Sequence, residues 1–150
     1  MRLHKQSRVA ASTVEFAVAS SATFLILLGL IIGGLGIFRY QQVARLSRDA
    51  ARWASVHGTQ YALDTKKPAA TAQDVYNQVI APNAATLDLS KLTYSVTWNS
   101  SNSPYHVATV NGQQVKVANI VTVSITYHWI PETFLGAVNL SSTTVSVMSY

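Results

Sequence analysis

The chain has 150 residues, which is enough for one folded domain plus an anchoring segment, and it contains no cysteine. Disulfide frameworks, thiol nucleophiles and cysteine-based zinc sites are therefore excluded. Residues 1–54 hold seven basic against two acidic residues, whereas residues 55–150 hold four of each, so the net charge of +5 belongs to the N-terminal third. A nucleic-acid binder needs basic residues on its folded domain, and this distribution argues against nucleic-acid binding.

An apolar segment follows a basic N-terminus. Residues 17–38 contain no Asp, Glu, Lys, Arg or His, and the 23 residues 16–38 would span about 34 Å as a helix, against about 30 Å for a bilayer core. A cleaved secretory signal has a shorter apolar core and a small-residue exit, and the exit here is Ile37-Phe38-Arg39-Tyr40. We therefore expect a retained transmembrane helix in a lipid bilayer. Three basic residues precede it and four follow it, so charge alone leaves its orientation open.

The helix is predicted to continue beyond the membrane and to stop near Gly58. An apolar stripe recurs at spacings of three and four residues and comprises Val43, Leu46, Ala50 and Trp53. A second stripe is basic and comprises Arg45, Arg48 and Arg52, with Asp49 placed to pair with Arg45 or Arg52. The expected result is an extended amphipathic helix that rests on its own domain.

Two features of the apolar segment suggest contact with other helices. Gly29 and Gly33 form a GxxxG pattern that Gly36 extends, and glycines allow close helix packing in lipid. Glu15 and Phe16 stand at the entry to the segment. Ser12-Thr13-Val14-Glu15 has the pattern of a capping box, which would account for the carboxylate at a helix N-terminus. A carboxylate deeper in lipid would instead need a positive partner, which could come from another chain.

The remaining chain is predicted to be a loop, a short helix and an antiparallel sheet. Residues 59–70 are expected to form the loop, and Thr71-Ala72-Gln73-Asp74 a capping box that starts a helix ending near Pro82. Four strands are predicted from alternation, with Asn111-Gly112 as a hairpin turn, at residues 91–98, 105–110, 113–117 and 119–129, and a fifth at 140–150. We expect one sheet with a packed and a solvated face, and the helices as candidates to cover the packed face.

No catalytic or metal-binding constellation emerges, so no enzyme and no cofactor is predicted. The four histidines do not have metal-ligand spacing on one element, and no glycine-rich phosphate loop follows a strand. His128 is expected on the solvent face of its strand, and Trp98 and Trp129 are expected in the core. An envelope enzyme with an unrecognised site is kept as a minor alternative.

The N-terminal pattern resembles a class III, type IVb-like prepilin signal: basic residues, small residues, Val14-Glu15-Phe16-Ala17 and a long apolar run. The resemblance implies cleavage between Ala10 and Ala11 by a prepilin peptidase, which makes Glu15 the fifth residue of the mature chain. It also implies that the freed amine of one subunit neutralises Glu15 of a neighbour. Ala10 stands where the family usually has Gly.

Four segments together resemble the TadE-like pseudopilins of tight-adherence pili: the entry "STVEFA", the glycine-bearing span, the exit helix with Ala50-Ala51-Arg52, and the closing strands. The resemblance implies a minor pilin in the bacterial inner membrane, with its N-terminus cytoplasmic. Implied partners are other pilins and pseudopilins, the prepilin peptidase and the inner-membrane assembly platform. Assembly would involve Glu15 and Phe16, and helix packing would involve Gly29, Gly33 and Gly36. A membrane-anchored binding domain unrelated to pili is the alternative.

The predicted architecture is α+β and has four parts. They are a basic cytoplasmic leader at 1–10, a transmembrane and amphipathic helix at 11–58, a loop and short helix at 59–90, and a sheet domain at 91–150.

Overall fold

A computed structural model describes residues 4–101, 106–110, 112–131 and 136–149, and among these the side chains of residues 4–11, 60, 106 and 110 are not described. The α+β architecture is confirmed, with a long helix, short helical segments and antiparallel strands. The chain divides into two compact units, Met1–Phe38 and Arg39–Tyr150.

The long helix α1 runs from His4 to Val56 and contributes to both units. Its end confirms the predicted stop, because Gly58 lies just beyond it with an extended backbone (φ −83°, ψ −160°) at the N-cap of the next helix. The predicted capping box at Ser12–Glu15 is wrong for the full chain, because α1 begins at His4 and these residues lie inside it. Residues 5–11 contain no Pro or Gly to break a helix, so the helix extends past the pattern.

Short helical segments connect α1 to the strands. Helix α2 (Thr59–Thr65) lies where a loop was predicted and ends at Lys66, which has a left-handed backbone (φ 57°). Helix α3 (Ala72–Val75) begins with the predicted capping box: the Thr71 hydroxyl accepts a hydrogen bond from the backbone N–H of Asp74, whose carboxylate accepts from that of Thr71. A π-helical segment (Tyr76–Ile80), helix α4 (Ala81–Asn83) and a 3₁₀ turn (Leu89–Lys91) follow.

The strands form two sheets rather than the single sheet predicted. Strands β1 (Leu92–Asn99), β4 (Ile120–Trp129) and β5 (Val138–Val147) are antiparallel in the order β1-β4-β5. Strands β2 (His106–Val110) and β3 (Gln113–Val117) form a separate hairpin. Asn111 of the predicted turn lies outside the described residues, and Gly112 has the positive φ (80°) that such turns require. Alternation identifies each strand, but it does not determine which strands pair.

The core lies between one face of the three-stranded sheet, the second half of α1 and the helical segments. Strand β4 supplies alternate residues Val121, Val123, Ile125 and Tyr127, all buried. The predicted stripe on α1 is confirmed, with Val43, Leu46 and Ala50 buried and Trp53 packed against the core. The helical segments supply three further buried residues: Val75, Val79 and Ile80.

Ser47 is one of three buried polar residues among those described, with Ser55 and Asn119. Ser47 of α1 is fully buried, and its hydroxyl lies 2.9 Å from the hydroxyls of both Ser142 and Thr144 on β5. The same hydroxyl donates to the Ala44 carbonyl at 3.1 Å. A buried hydroxyl is tolerated when it is hydrogen-bonded, so Ser47 fixes the position of β5 along α1.

Replacing Val123 with Ala should destabilise the second unit by about 2 kcal/mol, because two buried carbon atoms are removed and a cavity is left. The matched control is Val145→Ala on β5, where the side chain is 59% exposed and little change is expected. Denaturant unfolding of the full chain in detergent, followed by tryptophan fluorescence, measures both. Equal losses for the two variants would contradict the described packing.

Candidate assembly surface

The first half of α1 has no packing partner among the described residues of its unit. Every described residue from Ser12 to Phe38 is exposed except three half-buried ones, and Phe16, Leu25 and Leu30 are 75%, 71% and 68% exposed. The most apolar 18-residue window in this helix has a mean hydropathy of 2.3, and none of its residues is buried. Removing apolar surface from water is favourable by about 25 cal/mol per Å², so this surface requires lipid or another protein.

Among the described residues, α1 is the one helix long and apolar enough to cross a membrane. Three hydroxyls of its apolar segment, those of Ser20, Ser21 and Thr23, bond within the helix. The hydroxyls of Ser20 and Ser21 donate to the Ala17 carbonyl at 3.0 and 2.8 Å, and Thr23 donates to the Ala19 carbonyl at 2.8 Å. Hydroxyls bonded to the preceding turn need no water, which suits a segment in hydrocarbon.

The predicted assembly residues Glu15 and Phe16 lie inside α1, and both are exposed. The salt bridges among the described side chains involve Asp49 and Asp88, so Glu15 has no ionic partner there. The predicted processing residues, Ala10 and Ala11, lie in α1 as well, and their side chains are outside the description.

The predicted packing glycines share one face of α1. A rotation of about 100° per residue places Gly29, Gly33 and Gly36 within about 60° of one another, and Glu15 falls in the same sector. A Cβ atom added at Gly29 or Gly33 would meet no atom within 4 Å. Among the described residues, the space beside Gly29 and Gly33 is therefore free. We call this side of the helix the glycine face.

One further small residue belongs to the glycine face and was not selected from the sequence. Ala22 lies seven residues after Glu15 and in the same sector of the helix. Glu15, Ala22, Gly29 and Gly36 thus recur at intervals of seven residues, which is the spacing that keeps a seam facing a neighbouring helix. The signal that could have identified Ala22 is this interval, counted from Glu15.

The second unit presents no constellation of reactive groups among its described residues. No group of three His, Asp or Glu side chains there is placed to hold a metal ion. His128 lies on the exposed face of β4 as predicted, with Nδ1 2.8 Å from Oδ1 of Asn139. Trp98 and Trp129 pack against the core as predicted, and Trp98 Nε1 donates to the Ala54 carbonyl at 3.3 Å.

Asp74 and Asp88 have lowered pKa values, and each caps the start of a helical segment. Hydrogen bonds from Thr71 lower the pKa of Asp74. Hydrogen bonds from Ser90, with a smaller contribution from Lys91, lower the pKa of Asp88. Donors that favour the charged form explain both directions, and both groups therefore act as structural caps.

Comparison with known proteins locates a relationship in the N-terminal third. Residues 10–52 match the family model described as TadE-like protein. No curated protein and no solved structure gives a match. The resemblance is confirmed for the entry motif, the apolar segment and the exit helix, whereas the likeness drawn from the closing strands lies outside the match. Together with one helix able to span a membrane among the described residues, the match fits a single-pass membrane protein. The family is not known as enzymatic.

Proposed function

We propose that this protein is a minor pseudopilin that takes part in assembly of a tight-adherence pilus through helix packing. The family match of residues 10–52 supports this proposal. The observation that carries the proposal is the apolar surface of α1 from Ser12 to Phe38. It is exposed within the chain, and it bears a carboxylate at Glu15 on the same side as the packing glycines. That combination supports the proposal that α1 packs against other helices in lipid.

Processing would prepare the helix for assembly. Cleavage between Ala10 and Ala11 removes the basic leader and makes Glu15 the fifth residue of the mature chain. The new N-terminal amine then lies one helical turn before the carboxylate. In this mature chain, Ser12–Glu15 becomes the first turn of the helix, where a carboxylate is favourable.

Neutralisation of Glu15 would then couple insertion to assembly. A charged side chain at the bilayer centre costs about 2.5–3.5 kcal/mol on insertion scales, and less near the interface. The freed amine of an adjacent subunit offsets this cost by pairing with the carboxylate. An unassembled subunit would lack this pairing between subunits, so the pairing favours the assembled state.

The glycine face would supply the close contact. With no Cβ atom at Gly29, Gly33 and Gly36, the backbone of a neighbouring helix can approach and gain dispersion contacts that lipid chains do not provide as well. The neighbours are other pilins or pseudopilins, and the platform in the inner membrane that assembles them.

We place the N-terminus in the cytoplasm and the unit Arg39–Tyr150 on the other side of the inner membrane. The support for this orientation is the leader itself, since a prepilin peptidase acts on the cytoplasmic side and the leader must be within its reach.

Processing is tested by intact-mass measurement of the protein purified from its native membrane. We expect a chain that begins at Ala11, lighter than the full sequence by its first ten residues. An Ala10→Leu variant should remain uncleaved, because a bulky side chain replaces the small residue before the cut. A chain that retains Met1 in cells with an active prepilin peptidase would refute cleavage.

Replacing Glu15 with Gln should reduce pilus assembly at least about tenfold while the protein still inserts in the membrane. Loss of about 1.4 kcal/mol of pairing energy corresponds to that factor. Asp64→Asn is the matched control, because it neutralises an exposed carboxylate of α2 that belongs to neither the glycine face nor the apolar segment. Surface pili are counted by electron microscopy, and insertion is checked by alkaline extraction. Normal assembly of the Glu15 variant would favour the membrane-anchored binding domain instead.

Replacing Gly33 with Leu should impair assembly more than replacing Gly34 with Leu. Both glycines have open space beside them within the chain, but Gly34 lies about 100° around the helix from Gly33 and outside the glycine face. The two variants add the same side chain at neighbouring depths, so hydrophobicity is matched. Equal effects in the same pilus assay would show that the face has no special role.

A further inference from the structure

The second half of α1 presents a basic face on the side opposite the core. Arg45, Arg48 and Arg52 fall within about 60° of one another around the helix, and all three are exposed. The buried residues Val43 and Ala54 lie on the other side. We call the three arginines the basic face.

Most of this charge is not neutralised among the described side chains. Asp49 lies 3.5 Å from Arg45, whereas Arg48 and Arg52 have no salt bridge to any described carboxylate. Residues 55–150 carry no net charge, so the rest of the unit supplies no excess of acid to balance the arginines. A cluster of one sign attracts a surface of the opposite sign.

A groove opens beside the basic face. It has a volume of about 350 Å³ and is lined by Asp49, Arg52, Trp53, Val56 and Val79, the last from the π-helical segment. Val56 is 45% exposed. An apolar side chain could enter here next to the Arg52 guanidinium. Trp and Arg are the residue types most enriched among those that dominate binding energy at protein interfaces.

The axial distance argues against phospholipid headgroups as the occupant. Arg39 follows the apolar segment directly, and Arg52 lies 13 residues later, about 20 Å along the helix axis. The headgroup layer adds only about 5–8 Å on each side of the hydrocarbon core. Arg48 and Arg52 are therefore beyond its reach for a helix near the membrane normal.

The chain's own charges argue against a second copy. It has six acidic residues, and those after Asp49 are separated by at least ten positions: Asp64, Asp74, Asp88 and Glu132. A copy would therefore present no acidic row on one helix, and two basic faces would repel each other.

We propose that the basic face and its groove dock a different protein through a segment that presents an apolar side chain flanked by Asp or Glu. The apolar side chain fills the groove between Trp53, Val56 and Val79, and the flanking carboxylates pair with Arg48 and Arg52. This inference goes beyond the proposed function, and it depends on the second unit rather than on Glu15.

The test places a photoactivatable amino acid at Val56 in the full chain, expressed in its native membrane, with the same substitution at Val147, which is 71% exposed on β5, as the control. We expect the Val56 position to form an adduct with another polypeptide, at a site that mass spectrometry finds beside Asp or Glu. Arg48→Glu with Arg52→Glu should lower the adduct yield at least about tenfold, whereas Lys66→Glu with Lys67→Glu should leave it unchanged. Replacing the acidic residues of the partner with Lys should restore the adduct in the variant that carries both arginine replacements.

Adducts only with lipid, only with a second copy of this chain, or with neither would overturn the proposal. So would a protein adduct that the arginine reversal does not weaken. The measurement is made on membrane-inserted protein whether or not pili form, so its result is independent of the Glu15 assay.

Discussion

The absence of an internal packing partner for an apolar helical surface is the constraint on which the rest depends. From Ser12 to Phe38 the described side chains of α1 are mostly exposed, while the hydroxyls of Ser20, Ser21 and Thr23 bond to carbonyls of their own helix. Water is an unfavourable environment for such a surface, and lipid is a favourable one. Lipid in turn penalises an unpaired Glu15 carboxylate, and in the proposed function a partner outside the chain offsets that penalty.

In the second unit, one side of the same helix is packed against the sheet and the other side is exposed. There its apolar stripe packs against β4, Ser47 is held by two hydroxyls of β5, and the opposite side remains charged. Packing of an amphipathic face onto a sheet accounts for the stability of that half. The two exposed surfaces of α1, one with glycines and one with arginines, are therefore suited to different neighbours: helices in lipid and an acidic protein surface outside it.

Local patterns predicted local structure well. The alternation of β4 identified its buried residues, and Thr71-Ala72-Gln73-Asp74 identified the start of α3, because each feature depends on neighbours in sequence. The hairpin β2-β3 was predicted from its turn, but pairing between distant strands is non-local, so its separation from the other three strands was missed. Helix α2 was missed because the breaking signal, Lys66-Lys67-Pro68, lies after it. For the candidate surfaces, glycine and arginine spacing was visible in the sequence, whereas the groove beside Trp53 required the fold.

The central claim is that the Glu15 carboxylate meets the N-terminal amine of another subunit. A zero-length carbodiimide, which joins a carboxylate directly to an amine as an amide, tests this claim without substituting either residue. Assemblies are formed from a mixture of isotopically light and heavy chains and are then cross-linked in the native membrane. The account predicts a peptide in which Glu15 of one chain is joined to the mature N-terminus of a second, with mixed labels where both are copies of this protein. Reaction of Glu15 only with added small amines, with no link to another polypeptide, would contradict it.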